Sequence, residues 1–394
     1  MKNRLLLFIF LISFPFLGLS QWISVPTGTS QDFWAVDFVD SQTGYCSGGY
    51  YKTFKTIDGG MTWADVSNQG FKDFSFFNNT FGFATSSSVD VEIARTTDGG
   101  NSWTVLESPS MNRAVAVSST SENTAYFAGN GGILYKTTNG GNSFSILNSG
   151  QNYGIGDILF TNTTTGYFVS FSILKKTTDN GTTWNTIFDA SNGNLTKICF
   201  VNETIGYIAG DRSGGIATIW KTTDAGSTWT VQETGVSPGW PTDIDFYDEN
   251  HGFVVGVSGL ILYTDNGGAS WTSQVSGTTS RLNSVKMTSP ANAVVAGHNG
   301  RLLRNFGTLG VENDNLNQNF TFYPNPVDNK LTITGTELMD SIKIFNVLGK
   351  LLFEDYKIFS DSYSINFSAY SEGIYFLKVS DERGNSTVKK VIKK

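Results

Sequence analysis

Short runs along the chain alternate apolar and polar residues at period two, and a set of four such runs recurs about every 40 residues, each run reading as a strand. The first run is AVDFVD (35–40), DILFTN (157–162), KICFVN (197–202) or DIDFYD (243–248) in different units. The second opens on a small residue followed by an aromatic or aliphatic one: Gly44-Tyr45, Gly82-Phe83, Ala125-Tyr126, Gly166-Tyr167, Gly206-Tyr207, Gly252-Phe253 and Ala293-Val294. The third ends in the Lys-Thr of a nine-residue box, and the fourth begins at the aromatic that closes the box. Four short strands in about 40 residues is the size of one β-propeller blade.

The boxes are KTIDGGMTW (55–63), RTTDGGNSW (95–103), KTTNGGNSF (136–144), KTTDNGTTW (176–184), KTTDAGSTW (221–229) and YTDNGGASW (263–271). Their acidic or amide positions are 58, 98, 139, 179, 224 and 266, in steps of 40, 41, 40, 45 and 42 residues. The seven small-aromatic pairs exceed the six boxes by one. The seventh unit, VVAGHNGRLLRNFG (294–307), stops before its closing aromatic, and Gln21-Trp22 supplies one 41 residues before Trp63. A repeat that starts on its last strand and ends on its third predicts an all-β, seven-bladed propeller over 21–309 whose N-terminal strand closes the last blade. Such closure removes the free sheet edges that promote aggregation.

With lysine, hydroxyls and aspartate together, the box could pass for an active site. Its residue types have a local explanation instead. The chain reverses tightly here; Asp58, Asp98, Asp179 and Asp224 can accept hydrogen bonds from amides of their own turn, and glycine tolerates positive φ. Asn139 and Asn266 can do the same, which they could not as general acids or bases. Each closing tryptophan buries a large ring between blades, contributing roughly 1.5 to 3 kcal/mol by area.

The chain ends differ from the repeats. MKNRLLLFIFLISFPFLGLS (1–20) has a basic start, a short apolar run and small residues placed for cleavage, so it reads as a secretory signal. After it, no segment approaches the about 20 consecutive apolar residues of a membrane span. Without Lys2 and Arg4, 25 of the 27 cations remain against 34 anions, a net charge of −9. That balance argues against nucleic acid as a partner. Cys46 and Cys199 fall in different repeats and read as two buried free thiols. With His251 and His298 the only histidines, no metal or cofactor site is expected. Polar VENDNLNQN places a linker at 310–319, and the alternating runs of 320–394 predict a small β-sandwich of about seven strands.

The boxes resemble the Asp-box, or BNR, repeats of sialidases, sortilin-type propellers and xyloglucanase-type glycoside hydrolases. The run from Gln21 to Gly307 most resembles the seven-bladed photosystem II assembly and stability factor family, in which GYxxG followed by KTTDGGxTW recurs. The C-terminal segment resembles the type A sorting domain of the type IX secretion system of Bacteroidetes, through YPNP (323–326), NVLGK (346–350), GIYFLKV (373–379) and the final KKVIKK. That resemblance implies passage through the periplasm, engagement of the type IX machinery by this domain, and release or attachment at the outer surface. It also implies that the photosystem role does not transfer literally, whereas a rigid disc that holds protein partners can.

An enzyme would need catalytic groups beyond the boxes. Sialidases clamp a carboxylate with three arginines; here the propeller offers Arg95, Arg113, Arg212, Arg281, Arg301 and Arg304, Arg95 is already in a box, and the family's N-terminal arginine motif is absent. A two-carboxylate glycoside hydrolase needs only two acids across a cleft. The first-strand residues Asp37, Asp73, Asp157, Asp243 and Asp245 lie toward the axis and fit either that role or structural hydrogen bonding. Loops entering the first strands present Trp34, Lys72, Arg113, Tyr153, Trp240 and Arg281, aromatic and cationic groups suited to protein anchors or to sugar stacking. Trp240, in SPGWPT, belongs to no repeat; it is either an anchor or a ring packed under its loop. The expectation is a non-catalytic scaffold or adhesin binding a surface protein or glycan, with a carbohydrate-binding propeller or glycoside hydrolase as the alternative.

Overall fold

The computed structural model describes residues 22–49, 52–86, 93–107, 114–237, 239–306, 320–346, 351–381 and 386–394. The leader, the 310–319 linker and Arg113 lie outside them. Seven four-stranded antiparallel sheets form the blades. Blades 1 to 6 are continuous: 33–67, 71–106, 114–146, 157–189, 194–233 and 241–273. Blade 7 takes three strands from 282–306, and its fourth is Trp22–Ser24, antiparallel to Leu302–Phe306 with Trp22 opposite Asn305. Each first strand packs beside the first strands of both neighbouring blades, and the seventh returns to the first. The chain is therefore a closed seven-bladed propeller, and the first strands line its axial channel.

The core is divided among the blade junctions. One cluster joins Ala35 and Tyr45 of blade 1 to Phe71, Phe74, Ala84 and Trp103 of blade 2. Another joins Tyr126 and Leu134 of blade 3 to Ile158, Phe168 and Trp184 of blade 4. Both faces of a blade are covered by its neighbours, so the second strands of blades 1 to 4 and 6 are buried along their whole length. Trp22 continues the scheme: it is 3% exposed, edge-on to Phe253 at 5.3 Å, and donates its indole N–H to Gln274 Oε1 at 2.8 Å.

Beyond the propeller, the expected seven short runs become five strands: Phe320–Tyr323, Lys330–Asn346, Leu351–Asn366, Gly373–Asp381 and Ser386–Lys393. Two of them, of 17 and 16 residues, each fuse runs that the turn-like residues between them divide in sequence. Register shifts within their pairing, between Thr334 and Ser341, mark where the long strands bend. The resulting half-barrel sheet curls over a core of Phe320, Leu331, Ile344, Phe367, Leu377 and Val391.

Candidate functional site

The boxes are turns that also fasten one blade to the next. In the first, Asp58 Oδ1 accepts from Thr56 Oγ1 and from the Met61 and Thr62 amides, while Oδ2 accepts from Thr62 Oγ1 at 2.6 Å. Asp98, Asp179 and Asp224 repeat the bond from the residue four positions on, and Asn139 and Asn266 accept it through their amide oxygens. The Thr183 hydroxyl and amide hold the Asp179 carboxyl down at about 2, and the Thr228 amide and hydroxyl do so for Asp224. Carboxylates this firmly ionised are poor proton donors at neutral pH.

The outward link uses the box lysine and the tyrosine of the small-aromatic pair. Lys176 Nζ and Tyr167 Oη both donate to the Ala225 carbonyl in the next box, at 2.8 and 2.9 Å; Lys221 and Tyr207 reach Gly267 O at 2.7 and 3.2 Å. Tyr207 in turn stacks on Phe246 at 3.7 Å, and Phe246 meets Trp271 edge-on at 6.0 Å. Close approach requires glycine in the box: Gly100 has φ 72°, and a Cβ there would stand 2.5 Å from the Tyr45 ring.

The channel carboxylates reach across to the next first strand. Asp73, Asp157, Asp243 and Asp245 each accept through Oδ2 a backbone N–H of the following blade, from Val117, Ile198, Val285 and Met287, at 2.9, 3.0, 2.8 and 2.7 Å. Ser75, Ser118 and Ser284 do the same through hydroxyls. Asp37 accepts the Phe38 N–H at 2.9 Å. Two lysines stand among the acids. Lys197 Nζ lies 2.9 Å from Asp157 Oδ1; Lys286 Nζ lies 3.4 Å from Asp245 and 3.6 Å from Asp37, bridging blades 6 and 1.

Burial raises the Asp73 carboxyl to about 7 and Asp243 to about 6, against the pull of Lys197 and of the amides they accept from. Asp37 and Asp245 are also raised by burial, opposed by Lys286. Burial works against the Lys197 ammonium, but Asp157, Asp73 and Asp243 outweigh it and hold its pKa above the ordinary value. Both cysteines are free, and one expectation needs correction. Cys46 is buried, but Cys199 is only partly buried, packed against the core between blades 5 and 6.

Above the acids the first strands carry a feature that alternation alone does not reveal. Six of them are bulged at their upper end, which inserts Trp34, Lys72, Val115, Thr196, Thr242 and Asn283 as extra residues. A bulge re-aims the inserted side chain. Thr242 and Asn283 use the freedom to bond the next blade, at Leu282 O and Phe33 O. Trp34 and Lys72 instead meet each other: Lys72 Nζ stands 5.0 Å over the indole, whose edge meets the His298 ring at 5.3 Å. His298 Nδ1 is 3.9 Å from Asp32 Oδ2. The His298 amide donates to the Arg281 carbonyl, and Arg281 Nε donates to Asn283 Oδ1 at 3.0 Å, so Arg281 adjoins the same cluster. Sequence reading did not find His298, which carries no signal until blade 7 meets blade 1.

The other sequence-selected residues stand apart from that cluster. Trp240 is 45% exposed and lies along the turn of blade 5, where a Cβ on Gly215 would be 3.0 Å from its ring. Tyr153 is 65% exposed and meets Phe171 at 5.2 Å.

Sequence and structure comparisons agree with this architecture. Residues 321–394 match the secretion system C-terminal sorting domain. That domain marks the protein for type IX export, to the cell surface or the medium. Among the described residues no helix is long and apolar enough to cross a membrane. No match was found among curated protein sequences. Similar solved structures include YCF48 bound to D1 peptide, with 20% identity and a TM-score of 0.61 over 73% of this chain and 98% of that one. YCF48 from Cyanidioschyzon merolae is similar at 20% identity and a TM-score of 0.60, over 72% and 98%. The GH74 enzyme of Niastella koreensis reaches a TM-score of 0.60 at 14% identity, and this chain spans 60% of it. Residues 15–145 and 224–306, more than half of the sequence, match the model for the photosynthesis system II assembly factor YCF48, and the chain belongs to that family of BNR propellers.

Proposed function

We propose that the propeller is a non-catalytic scaffold that holds a protein partner on the rim bearing Trp34, Lys72, Tyr153, Trp240 and Arg281, with Arg113 as a further candidate outside the described residues. One contrast carries this reading. The channel carboxylates are engaged in fastening blades, while the rim above them presents Tyr153, Trp240 and Arg281 exposed and Trp34 and Lys72 half-buried. Such groups are the usual anchors of protein interfaces. The family likeness adds to it, since a YCF48 structure carries a bound peptide. The type IX machinery, engaging the C-terminal domain, is the partner during export.

The test uses the purified full chain as bait for cross-linked outer-surface proteins of the native cell. A partner captured by the wild type is expected to bind Trp240→Ala at least about tenfold more weakly, with an unchanged melting temperature. Unchanged capture, or an equal loss of stability, would refute the anchor.

Glycoside hydrolysis is the second reading, and one observation favours it: Asp73 and Asp243 sit at about 7 and 6, the range of a general acid. Release of reducing ends from a polysaccharide by the wild type and not by Asp243→Asn would establish it in place of the scaffold.

The division of the chain into propeller 21–309, linker 310–319 and sorting domain 320–394 is part of the same proposal. Limited proteolysis of the full chain is expected to cut first within 310–319 and leave two protected fragments. First cuts inside a blade would overturn those boundaries.

A further inference from the structure

Among the described residues the turn between second and third strands holds a residue in the left-handed region in five blades: Gly131 at φ 68°, Phe171 at 52°, Gly214 at 90°, Ser258 at 59° and Asn299 at 59°. Glycine, serine and asparagine are small or can bond locally, so four of the five choices are cheap. Phenylalanine is not. A bulky side chain at positive φ is strained, and Phe171 is in addition 60% exposed. Tyr153, brought in by the loop before the first strand of blade 4, meets it at 5.2 Å with an interplanar angle of 66°. Two costs, backbone strain and exposed apolar surface, fall on one pair of side chains.

The framework under the pair is firm. Leu195 N–H donates to Phe171 O at 2.8 Å, Ala190 N–H to Ser172 O at 2.8 Å, and the buried Ser170 hydroxyl to Gly154 O at 3.0 Å. The three segments that meet here read Gln151-Asn152-Tyr153, Ser170-Phe171-Ser172 and Ala190-Ser191-Asn192-Gly193-Asn194. They supply amides and hydroxyls and no charged side chain, with Asn152, Asn192 and Asn194 exposed. The nearest carboxylate in sequence, Asp189, accepts the Ser191 N–H at 2.8 Å. This chemistry contrasts with the Trp34-Lys72-His298 cluster, which is charged.

We propose that Tyr153 and Phe171 form a stacking platform for a neutral saccharide, with the flanking asparagines bonding its hydroxyls. The slightly positive C–H face of a pyranose packs on the negative face of an aromatic ring, and side-chain amides both donate to and accept from hydroxyl groups. The exposed groups that flank the two rings are amides and hydroxyls, which match a neutral sugar better than the charged partner that the Trp34-Lys72-His298 cluster suits. The inference rests on the reading of this rim as a binding face and adds a second class of ligand to it.

The experiment is affinity electrophoresis of the full chain through gels containing soluble β-glucan, mannan, galactan or xyloglucan, with polygalacturonate as the charged control. At least one neutral polysaccharide is expected to retard the wild type, equally at low and high salt. Tyr153→Ala and Phe171→Gly are expected to bind at least tenfold more weakly, and Phe171→Gly, which relieves the strained φ, to melt no lower than the wild type. Trp240→Ala is expected to leave the retardation unchanged, which separates this site from the protein anchor. The proposal fails if none of the four neutral polysaccharides retards the chain or if the variants are retarded equally. It also fails if Phe171→Gly melts markedly lower, since the ring would then be packing and not a platform.

Discussion

Replacing Trp22 by alanine is expected to lower the melting temperature by roughly 10 °C and to make the purified protein associate as its concentration rises. The ring is 3% exposed and meets Phe253 edge-on, and its N–H is bonded to Gln274. Truncating a buried aromatic costs about 3 to 5 kcal/mol, and a domain of this size loses roughly 2 to 4 °C per kcal/mol. The association follows from where the ring sits. Trp22–Ser24 is held to blade 7 by three residue pairs, so loss of its anchor frees the edge of Leu302–Phe306, a template for pairing with a second chain. Thermal melts and gel filtration at several concentrations check both parts. A melting temperature within a degree or two of the wild type would mean that the ring is closed by something else.

The second large effect concerns the channel, where among the described residues Asp37, Asp73, Asp157, Asp243 and Asp245 meet the cations Lys197 and Lys286. Asp73 and Asp243 are raised in the folded protein to about 7 and 6, above an unfolded value of about 3.9. Between pH 4 and 7 the folded chain therefore binds more protons than the unfolded one. Stability is then greatest below pH 4 on this account and falls as pH rises through 6 and 7. The box aspartates act oppositely. Asp179 and Asp224 are depressed to about 2, so their contribution is present above pH 4 and is lost as pH falls toward 2. Together the two groups place maximal stability near about pH 4 to 5.

Lys197→Met removes the ammonium that Asp73, Asp157 and Asp243 share, and is expected to cost about 3 kcal/mol at pH 8. At pH 5, where two of the three acids hold their protons, the cost is expected to be clearly smaller. Urea midpoints of wild type and variant at the two pH values decide the matter. An equal cost at both would mean that the lysine acts through packing and not through charge.

Repeat period, blade number, ring closure and the structural role of the boxes were legible in sequence, because each rests on local chemistry repeated many times. A turn aspartate, its two glycines and the tryptophan after them carry their function within nine residues. Residues acting across a junction were harder to read. The alternating pattern put Asp73 and Asp243 on the axis but left their role open, because the amide each one meets lies some 40 residues on in the next blade. The bulges that re-aim Trp34 and Lys72 leave no mark in an alternating run beyond one extra residue. Phe171 could have been found, since it stands where other blades place glycine, serine or asparagine, but that position becomes comparable only once the turns are aligned in three dimensions. In the sorting domain, two pairs of runs merged because turn-like residues between them continue as bent strand.

The pairing that closes the disc also imposes an order of events. Trp22 leaves the ribosome early, yet Gln274, which accepts its indole N–H, is 252 residues away, and its strand partners come later still. Every nascent or truncated chain that ends before them must carry an unmatched leading strand. The export signal at 321–394 begins 16 residues after Asn305, the last of those partners (321 − 305). Synthesis thus delivers the means of closing the circle and the means of leaving the periplasm in quick succession, in that order.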